Sequence, residues 1–450
     1  MPNTPGAADV PSPPLFVAPP TPDYLQALNE RRQWLMHACD GPIVLVAPKH
    51  GPNQQYPWAH CYQPVYQDSY FLYLTGINQT GIAMVLDPAT STQHIFLPEY
   101  NPKHAFWEGD RFSVNCPSSH AWLAALGFDA IHPMQSFKSF LNAMGHARPW
   151  HLQLASGKKG GQKNEAFYLK QQLSRMFRSS FECASISELS WRQRLSHHPI
   201  DIAAITMGAE KTGKAFLNAI RAPFTSETEL CGQLVGELLK QTPYGLAFSP
   251  IVAANAHGAI LHYTQNSGPI QPGELVLLDF GLRWQGMCTD VSRTIPAGGR
   301  FSDLQQRLMG IVLTAQLATI AQVKAGVTVQ ELNEFAWRTL DAELHQSFLR
   351  KGGTMNRPYK IQPHNIGHLL GFQVHDGDAN RGYNTQPLPE NSIITIEPGL
   401  YGEFEWQGEV IHCGIRIEDN LLVQPHGAIN LTQAIPKSCQ AIEAAMAAMG

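Results

Sequence analysis

Two spacings of apolar residues alternate along the chain. Tyr24–Cys39 reads as a helix, and the short apolar run Pro42–Ala47 that follows reads as a strand. Tyr70–Ile77, Ile82–Leu86 and His94–Leu97 are further strand candidates with Gly and Pro between them. Trp150–Leu154 reads as another strand and Asn164–Phe177 as a helix. Helices interleaved with strands predict an α/β domain over residues 23–190.

Beyond residue 190 the pattern predicts the order helix, helix, strands, twice over. Pro199–Ile220 has Pro in its first turn, and Ser226-x-x-Glu229 has the form of a capping box before Leu230–Leu239. Strands are expected at Ile251–Ala254, Ile260–Tyr263, Leu275–Leu282 and Met287–Thr294. Phe301–Val323 and Val329–Leu344 read as long amphipathic helices, and strands return at Ile393–Ile396 and Ile415–Glu418. This order hints at an internal duplication within 191–450. The halves share little sequence apart from Trp-Gln-Gly at 284–286 and again at 406–408.

Composition narrows the function classes. Charged residues are 15% of the 450, well under the usual ~25%, and apolar residues are 44%, so neither a coiled coil nor a disordered chain is expected. A net charge of −4 offers no basic footprint for nucleic acid. No apolar run reaches the ~18 residues of a membrane span. The first basic residue is Arg31, which does not fit the positive start of a secretory leader. Residues 1–22 hold eight prolines and read as an extended, disordered tail. The eight cysteines include no C-x-x-C pair, which suits free thiols in a reducing compartment, the cytoplasm by default. The 19 histidines direct attention to metal or proton-transfer chemistry.

The acids carry the strongest chemical signal. The apolar run Leu275–Leu278 ends in Asp279, and the chain reaches Asp290 after Trp284-Gln285-Gly286. A hairpin turning between Trp284 and Gln285 would set Asp279 directly opposite Asp290, with Cβ atoms ~5 Å apart. Like charges at that distance repel, so the pair requires a shared proton or cations. A second hairpin centred on Gln407-Gly408 would set Glu397 opposite Glu418. Singly, each acid is an ordinary solvated or Arg-paired group. As two matched pairs they point to hard divalent cations, which prefer oxygen donors.

Histidines add to this. His364 and His368 are four apart, and His375-Asp376 follows. A helical H-E-x-x-H zinc site would need Glu where Asn365 stands, and Gly367 and Gly371 disfavour a regular helix. His262 lies in the apolar stretch Ile260-Leu261-His262-Tyr263, where a single histidine is more often a core residue.

Taken together these segments resemble the pita-bread metallopeptidases, and among them aminopeptidase P and prolidase. The matching stretches, in family order, are Ile260–Thr264, Leu278–Gly281, Thr289–Thr294, His364–Asp376, Ile396–Tyr401 and Gly414–Asp419. Tyr66–Gly76 and Phe106–Arg111 are similar, more loosely, to the N-terminal domain of aminopeptidase P. The resemblance implies an α/β creatinase-like N-terminal domain and an α+β pita-bread domain with an internal pseudo-twofold. It implies a ligand set for two divalent metals: Asp279 on one, His368 and Glu397 on the other, Asp290 and Glu418 bridging. It further implies His262 and His375 as catalytic histidines, His364 on the proline side of the cleft and Arg416 orienting the ligands. Trp107 would reach a neighbouring subunit's site, in a homo-oligomer that is a dimer or tetramer. Gln265 replaces a usual acid, and His197-His198 and Asp201 replace the family's Lys-Ser and Glu.

The implied activity is removal of the N-terminal residue from peptides with proline second. The metals would lower the pKa of water, and Glu397 would carry its proton to the leaving nitrogen. Carboxylates with one histidine and no cysteine suit Mn²⁺, with Zn²⁺, Co²⁺ or Fe²⁺ as alternatives. The alternatives to this activity are an Xaa-Pro dipeptidase (prolidase) and a catalytically silent binding module of the same fold. A methionine aminopeptidase would leave the front domain unexplained.

Overall fold

The computed structural model describes residues 16–48, 67–145, 148–154, 165–177, 182–356, 362–377 and 382–447. Of the expected Pro-rich tail, residues 1–15 lie outside the described residues, as do Cys61 and Tyr66. The chain forms two compact units, one ending at Gln193 and the other beginning at Arg194. Among the described residues no helix is long and apolar enough to cross a membrane.

The first unit is built on a six-stranded sheet. In chain order it runs α1 (Pro22–His37), β1 (Ile43–Val46), α2 (Ser69–Thr75), β2 (Ala83–Asp87), β3 (Thr92–Leu97), α3 (Pro102–Glu108) and α4 (Pro117–Ala125). It continues with β4 (Ala130–Pro133), α5 (Phe137–Met144), β5 (Trp150–Leu152), α6 (Glu165–Phe177), β6 (Cys183–Ser185) and α7 (Ser187–Arg194), at whose end the division falls. The strand order is β4-β3-β2-β1-β5-β6. On one face Val44, Val85, Phe96 and Trp150 pack against Phe137 and Leu141 of α5 and Leu169 and Leu173 of α6.

Tyr70–Ile77, expected as a strand, is instead the helix α2. Asp68 caps its start, accepting from the amides of Tyr70 and Phe71, and Gly76 ends it in the left-handed region at φ 69°. Every residue of 70–75 is buried, so no face alternates with another and apolar periodicity cannot distinguish helix from strand. The cap residues Asp68 and Gly76 were the better signal.

The second unit opens with α8 (Pro199–Arg221) and α9 (Glu227–Gln241). Then come β7 (Ile251–Ala254), β8 (Leu275–Phe280), β9 (Arg283–Trp284), β10 (Met287–Cys288) and β11 (Val291–Pro296). A second helix pair, α10 (Asp303–Ile320) and α11 (Val329–Ser347), precedes β12 (Thr354–Asn356), β13 (Ile393–Ile396), β14 (Gly399–Trp406), β15 (Glu409–Arg416), β16 (Asp419–Gln424), β17 (Gly427–Asn430) and α12 (Cys439–Ala447). The helix, helix, strands order therefore recurs as the pattern predicted. His198, one of the departures noted above, caps α8, its ring accepting from the amide of Ile200. Ser226 caps α9 by accepting from Glu229, but the Glu229 carboxylate returns to Thr225 rather than to Ser226, so the capping box is shifted by one residue.

Both Trp-Gln-Gly repeats are tight turns. Trp284 pairs with Met287 and Trp406 with Glu409, each across a Gln-Gly pair. Gln285 and Gly286 have φ 51° and 90°, and Gln407 and Gly408 have φ 52° and 84°. Two successive positive φ values are what a two-residue hairpin loop needs to match strand twist. The short recurrence thus has a common mechanical cause.

The other misplaced strand is Ile260–Tyr263. Residues 255–259 form a 3₁₀ helix, and successive tight turns follow, Ile260 N to His257 O and Tyr263 N to Ile260 O. The segment is a loop because its anchors are side chains of other elements, described below.

Candidate metal centre

The second hairpin behaves as the sequence predicts. Ile396 pairs with Asp419, and Gly399 pairs with Arg416, so one register continues across a break in the ladder. Glu397 and Glu418 occupy that break and so oppose each other. Pro398 cannot donate to a ladder, which helps open it. The freed amides find other partners: Glu397 N donates to Ile366 O at 2.7 Å, and Glu418 N to Ser292 O at 3.0 Å. The break therefore ties both glutamates to the segments carrying the histidines and Asp290.

The first hairpin requires a correction. Its turn is Gln285-Gly286, one residue later than expected, and Asp279 pairs with Ser292, not with Asp290. Moving a turn by one residue moves every partner by two, and that returns each side chain to the same face. Asp279 and Asp290 are thus diagonal neighbours rather than direct opposites. They still converge, because Asp290 sits just before β11, its backbone clasped by the Asn420 side chain.

Ligand atoms of Asp290, His368 and Glu418 lie within 4.8 Å of one another, and all three residues are buried. His368 Nε2 is 3.4 Å from Asp290 Oδ2 and 3.7 Å from Glu397 Oε1. The other ring nitrogen, Nδ1, donates to Leu369 O at 3.1 Å, which leaves the Nε2 lone pair facing the acids. Arg416 spans the group. It donates Nη2 to Asp279 Oδ2 at 2.6 Å, Nε to Ser292 Oγ at 2.8 Å and Nη1 to the Tyr401 hydroxyl at 3.3 Å. Ser292 Oγ in turn donates to Glu418 Oε2 at 2.8 Å. The Tyr401 hydroxyl donates to His364 Nε2 at 2.8 Å, because His364 Nδ1 donates to Asn365 O.

Electrostatics set this cluster apart. Burial, then the charges of Asp279 and Glu397, push the Asp290 carboxyl well above the usual carboxylate range. Burial, then Asp290 and Glu397, do the same to Glu418. Burial by itself would lower Arg416, but Tyr401 and the surrounding acids raise it well above its ordinary value. Burial and the Arg416 charge push His364 down to about 4, and burial pushes Tyr401 up to about 12. Asp279 Oδ1 and Glu418 Oε1 are buried with no hydrogen-bond partner among the described residues. Repelling buried acids with orphaned oxygens and an imidazole lone pair fit a hard divalent cation.

The remaining expected residues are placed variously. His375 lies edge-on to His368, ring centroids 4.4 Å apart. His364 packs between Trp337 and Tyr401. His262 is exposed, close enough that its charge contributes to lowering His364. Trp107 belongs to the first unit, on α3, 69% exposed and edge-on to Phe106. The sequence reading passed over Ser292, Tyr401 and Asn420. The first two lie inside stretches that resemble the family, but nothing in their spacing signals the bonds they make.

The chain is similar to proteins already known. Residues 203–425 match metallopeptidase family M24, and residues 28–151 match the aminopeptidase P N-terminal domain. The chain is 29% identical over 382 residues to the mitochondrial intermediate cleaving peptidase 55 of Arabidopsis thaliana, covering 84% of this chain and 74% of that one. It is 26% identical over 450 residues to the Xaa-Pro aminopeptidase of Escherichia coli, covering 94% and 98%. The structure of E. coli aminopeptidase P with the inhibitor Pro-Leu has the same fold, with a TM-score of 0.79 at 24% identity over 94% of this chain and 98% of that one.

Proposed function

This chain belongs to the aminopeptidase P branch of metallopeptidase family M24 and is a metal-dependent peptidase; from that premise we propose that it is an Xaa-Pro aminopeptidase. The observation that carries the reading is the convergence of Asp290, His368 and Glu418 within 4.8 Å, beside Asp279 and Glu397. We assign these five residues as ligands of two divalent cations, with Mn²⁺ favoured by the carboxylate-rich set and Zn²⁺, Co²⁺ and Fe²⁺ as alternatives.

Divalent cations held by these residues would supply a nucleophile near neutral pH and polarisation of the scissile carbonyl. Glu397 accepts the proton of the attacking water and passes it to the departing proline nitrogen, a secondary amine that must be protonated as the bond breaks. Its Oε2 lies 3.8 Å from His364 Nδ1 and its Oε1 faces His368, which keeps it at the centre of the site. His262 and His375 donate to the substrate oxygen as charge develops there. His364, uncharged at neutral pH and fixed by Tyr401, forms the wall for the proline ring. Arg416 keeps Asp279 and, through Ser292, Glu418 in place.

Trp107 is proposed to serve a neighbouring subunit's site in a dimer or tetramer; the support is that its indole, 69% exposed, forms an edge-on pair with the 82% exposed Phe106. The seven described cysteines are all free, which supports residence in a reducing compartment, the cytoplasm by default. Similarity to an intermediate cleaving peptidase favours a second reading, in which the substrate is a processed polypeptide rather than a short Xaa-Pro peptide.

The test is hydrolysis of an Xaa-Pro-Xaa tripeptide, an Xaa-Pro dipeptide and a longer peptide lacking proline, each with Mn²⁺, Zn²⁺, Co²⁺ or Fe²⁺ and with chelator. Asp290→Ala is the control. Tripeptide cleavage lost in the control and in chelator is expected. Cleavage of the dipeptide alone would make the protein a prolidase, and cleavage of the proline-free peptide alone would favour the second reading. No cleavage with any of the four metals would leave a binding module.

A further inference from the structure

Glu227 is a buried acid that the chemistry above does not use. It stands in the first turn of α9 and is 0% exposed. Its Oε1 accepts from Ala254 N and His257 Nδ1, each at 2.8 Å. Its Oε2 accepts from the Tyr263 hydroxyl at 2.8 Å and from Gly268 N at 2.6 Å. An ionised carboxylate has about four lone-pair sites, and all four donors here belong to residues 254–268. The Glu227 amide also donates to Gly268 O at 2.9 Å. His257 and Tyr263 stack on one another, centroids 4.4 Å apart.

The loop is also held near its two ends, where Asn266 Oδ1 accepts from Val252 N at 2.8 Å, Asn266 Nδ2 donates to Pro250 O at 2.9 Å, the Thr228 hydroxyl donates to Asn266 O at 2.7 Å and Asn255 Nδ2 donates to Glu274 Oε1 at 2.9 Å. It contains no strand, and Asn255 and Asn266 both take positive φ, 48° and 47°. A further anchor is a close backbone approach: a Cβ on Gly258 would lie 2.8 Å from Gly414 N on β15. Tyr263, held by Glu227 through its hydroxyl, packs with Ile251, Leu277 and Tyr401, which puts one end of the loop against the floor of the metal centre. His262 is the residue next to it. Its side chain is exposed and takes its direction from this backbone.

We propose that Glu227 is a positioning residue for the reaction: by saturating four donors of the 254–268 loop it fixes the backbone that aims His262 at the substrate. The inference rests on the role assigned to His262 above. Burial opposes the charge on Glu227, yet the donors of Ala254, His257, Gly268 and Tyr263 hold its carboxyl below the usual range, so it is ionised at neutral pH. Glutamine cannot substitute. Its amide would turn two N–H donors toward either Ala254 N or Gly268 N, neither of which can accept.

A double-mutant cycle of Glu227→Gln with His262→Ala tests this, with metal content measured for each protein. Glu227→Gln is expected to lower kcat/KM roughly tenfold at unchanged metal content, because a small misplacement of a hydrogen-bonding group is costly. In the His262→Ala background the same substitution should cost at most about twofold, since a residue acting through His262 cannot be additive with its loss. Hydrogen exchange of peptides spanning 254–268 should accelerate in Glu227→Gln while the rest of the second unit keeps its protection. Tyr263→Phe removes one of the four donors and serves if Glu227→Gln does not fold; it should show the same non-additivity at smaller amplitude. Full additivity of either variant with His262→Ala, or wild-type kcat/KM in both, overturns the inference. Full activity in His262→Ala overturns the role of His262, and this inference with it.

Discussion

Arg416 on β15 donates Nη2 to Oδ2 of Asp279 on β8 at 2.6 Å, across 137 residues of chain. The same guanidinium reaches Ser292 and the Tyr401 hydroxyl. One buried cation thus holds an acid of the first hairpin against the strands of the second. Lysine would keep the charge but lose the planar fork that makes three bonds in fixed directions. Arg416→Lys is expected to reduce metal affinity by roughly 10- to 100-fold, the usual cost of removing a group that orients ligands. Metal titration by calorimetry checks it, and wild-type affinity in the variant would show that the fork is dispensable.

Asp290 is under electrostatic load without metal. It is buried beside Asp279 and Glu397, and its carboxyl is pushed well above the usual range. Asp290→Asn removes that repulsion while keeping the shape. In chelator at pH 7 the variant should melt a few degrees above the wild type, since relieving buried like charge is stabilising. With Mn²⁺ the order should reverse, because only the wild type gains from binding the cation. Paired melting curves settle the sign; a variant less stable in chelator would mean that Asp290 is compensated by a proton at no cost.

Glu227 links stability to pH in the opposite sense. Its folded-state carboxyl lies below the ordinary 4.5 because four donors favour the ionised form over the penalty of burial. Its contribution is therefore complete above about 4.5 and is lost as pH falls through the folded value. The melting-temperature gap between wild type and Glu227→Gln should be wide at pH 7 and narrow steadily below pH 4.5. A gap independent of pH would show that the charge is not what stabilises the loop.

Gly414 faces Gly258 so closely that a Cβ on it would overlap the Gly258 carbonyl. The clash is with backbone, which cannot rotate away as a side chain can. Gly414→Ala should cost about 1–3 kcal/mol in unfolding free energy, in the range of strained or overpacked core substitutions. Urea melts of the metal-free protein measure it, and a loss below about 0.5 kcal/mol would show that the loop yields freely.

The helix pairs of the second unit were legible because each carries a long periodic apolar face and ordinary caps, as in α10 and α11. The second hairpin was legible because its register survives a break, so Glu397 could be set opposite Glu418 by counting from Gln407-Gly408. The first hairpin turns one residue later than its pattern predicts, and α2 is a helix where the pattern predicts a strand. Both differences lie where local pattern is weakest: a two-residue turn between short strands, and a helix buried on every side.

What the sequence determined by itself is the identity and facing of the acids. Strand alternation has a period of two, so Asp279 stays on the face of Asp290 even when the register slips by two. What only the tertiary structure decided is everything that depends on distance between remote segments. His368 meets Asp290 and Glu418, Arg416 reaches Asp279, and Glu227 gathers four donors from a loop that has no pattern of its own. Those contacts are hydrogen bonds and charge pairs a few ångströms long. Such short-range interactions form only after hydrophobic packing has brought the helices and hairpins together, and no periodicity in the chain records them.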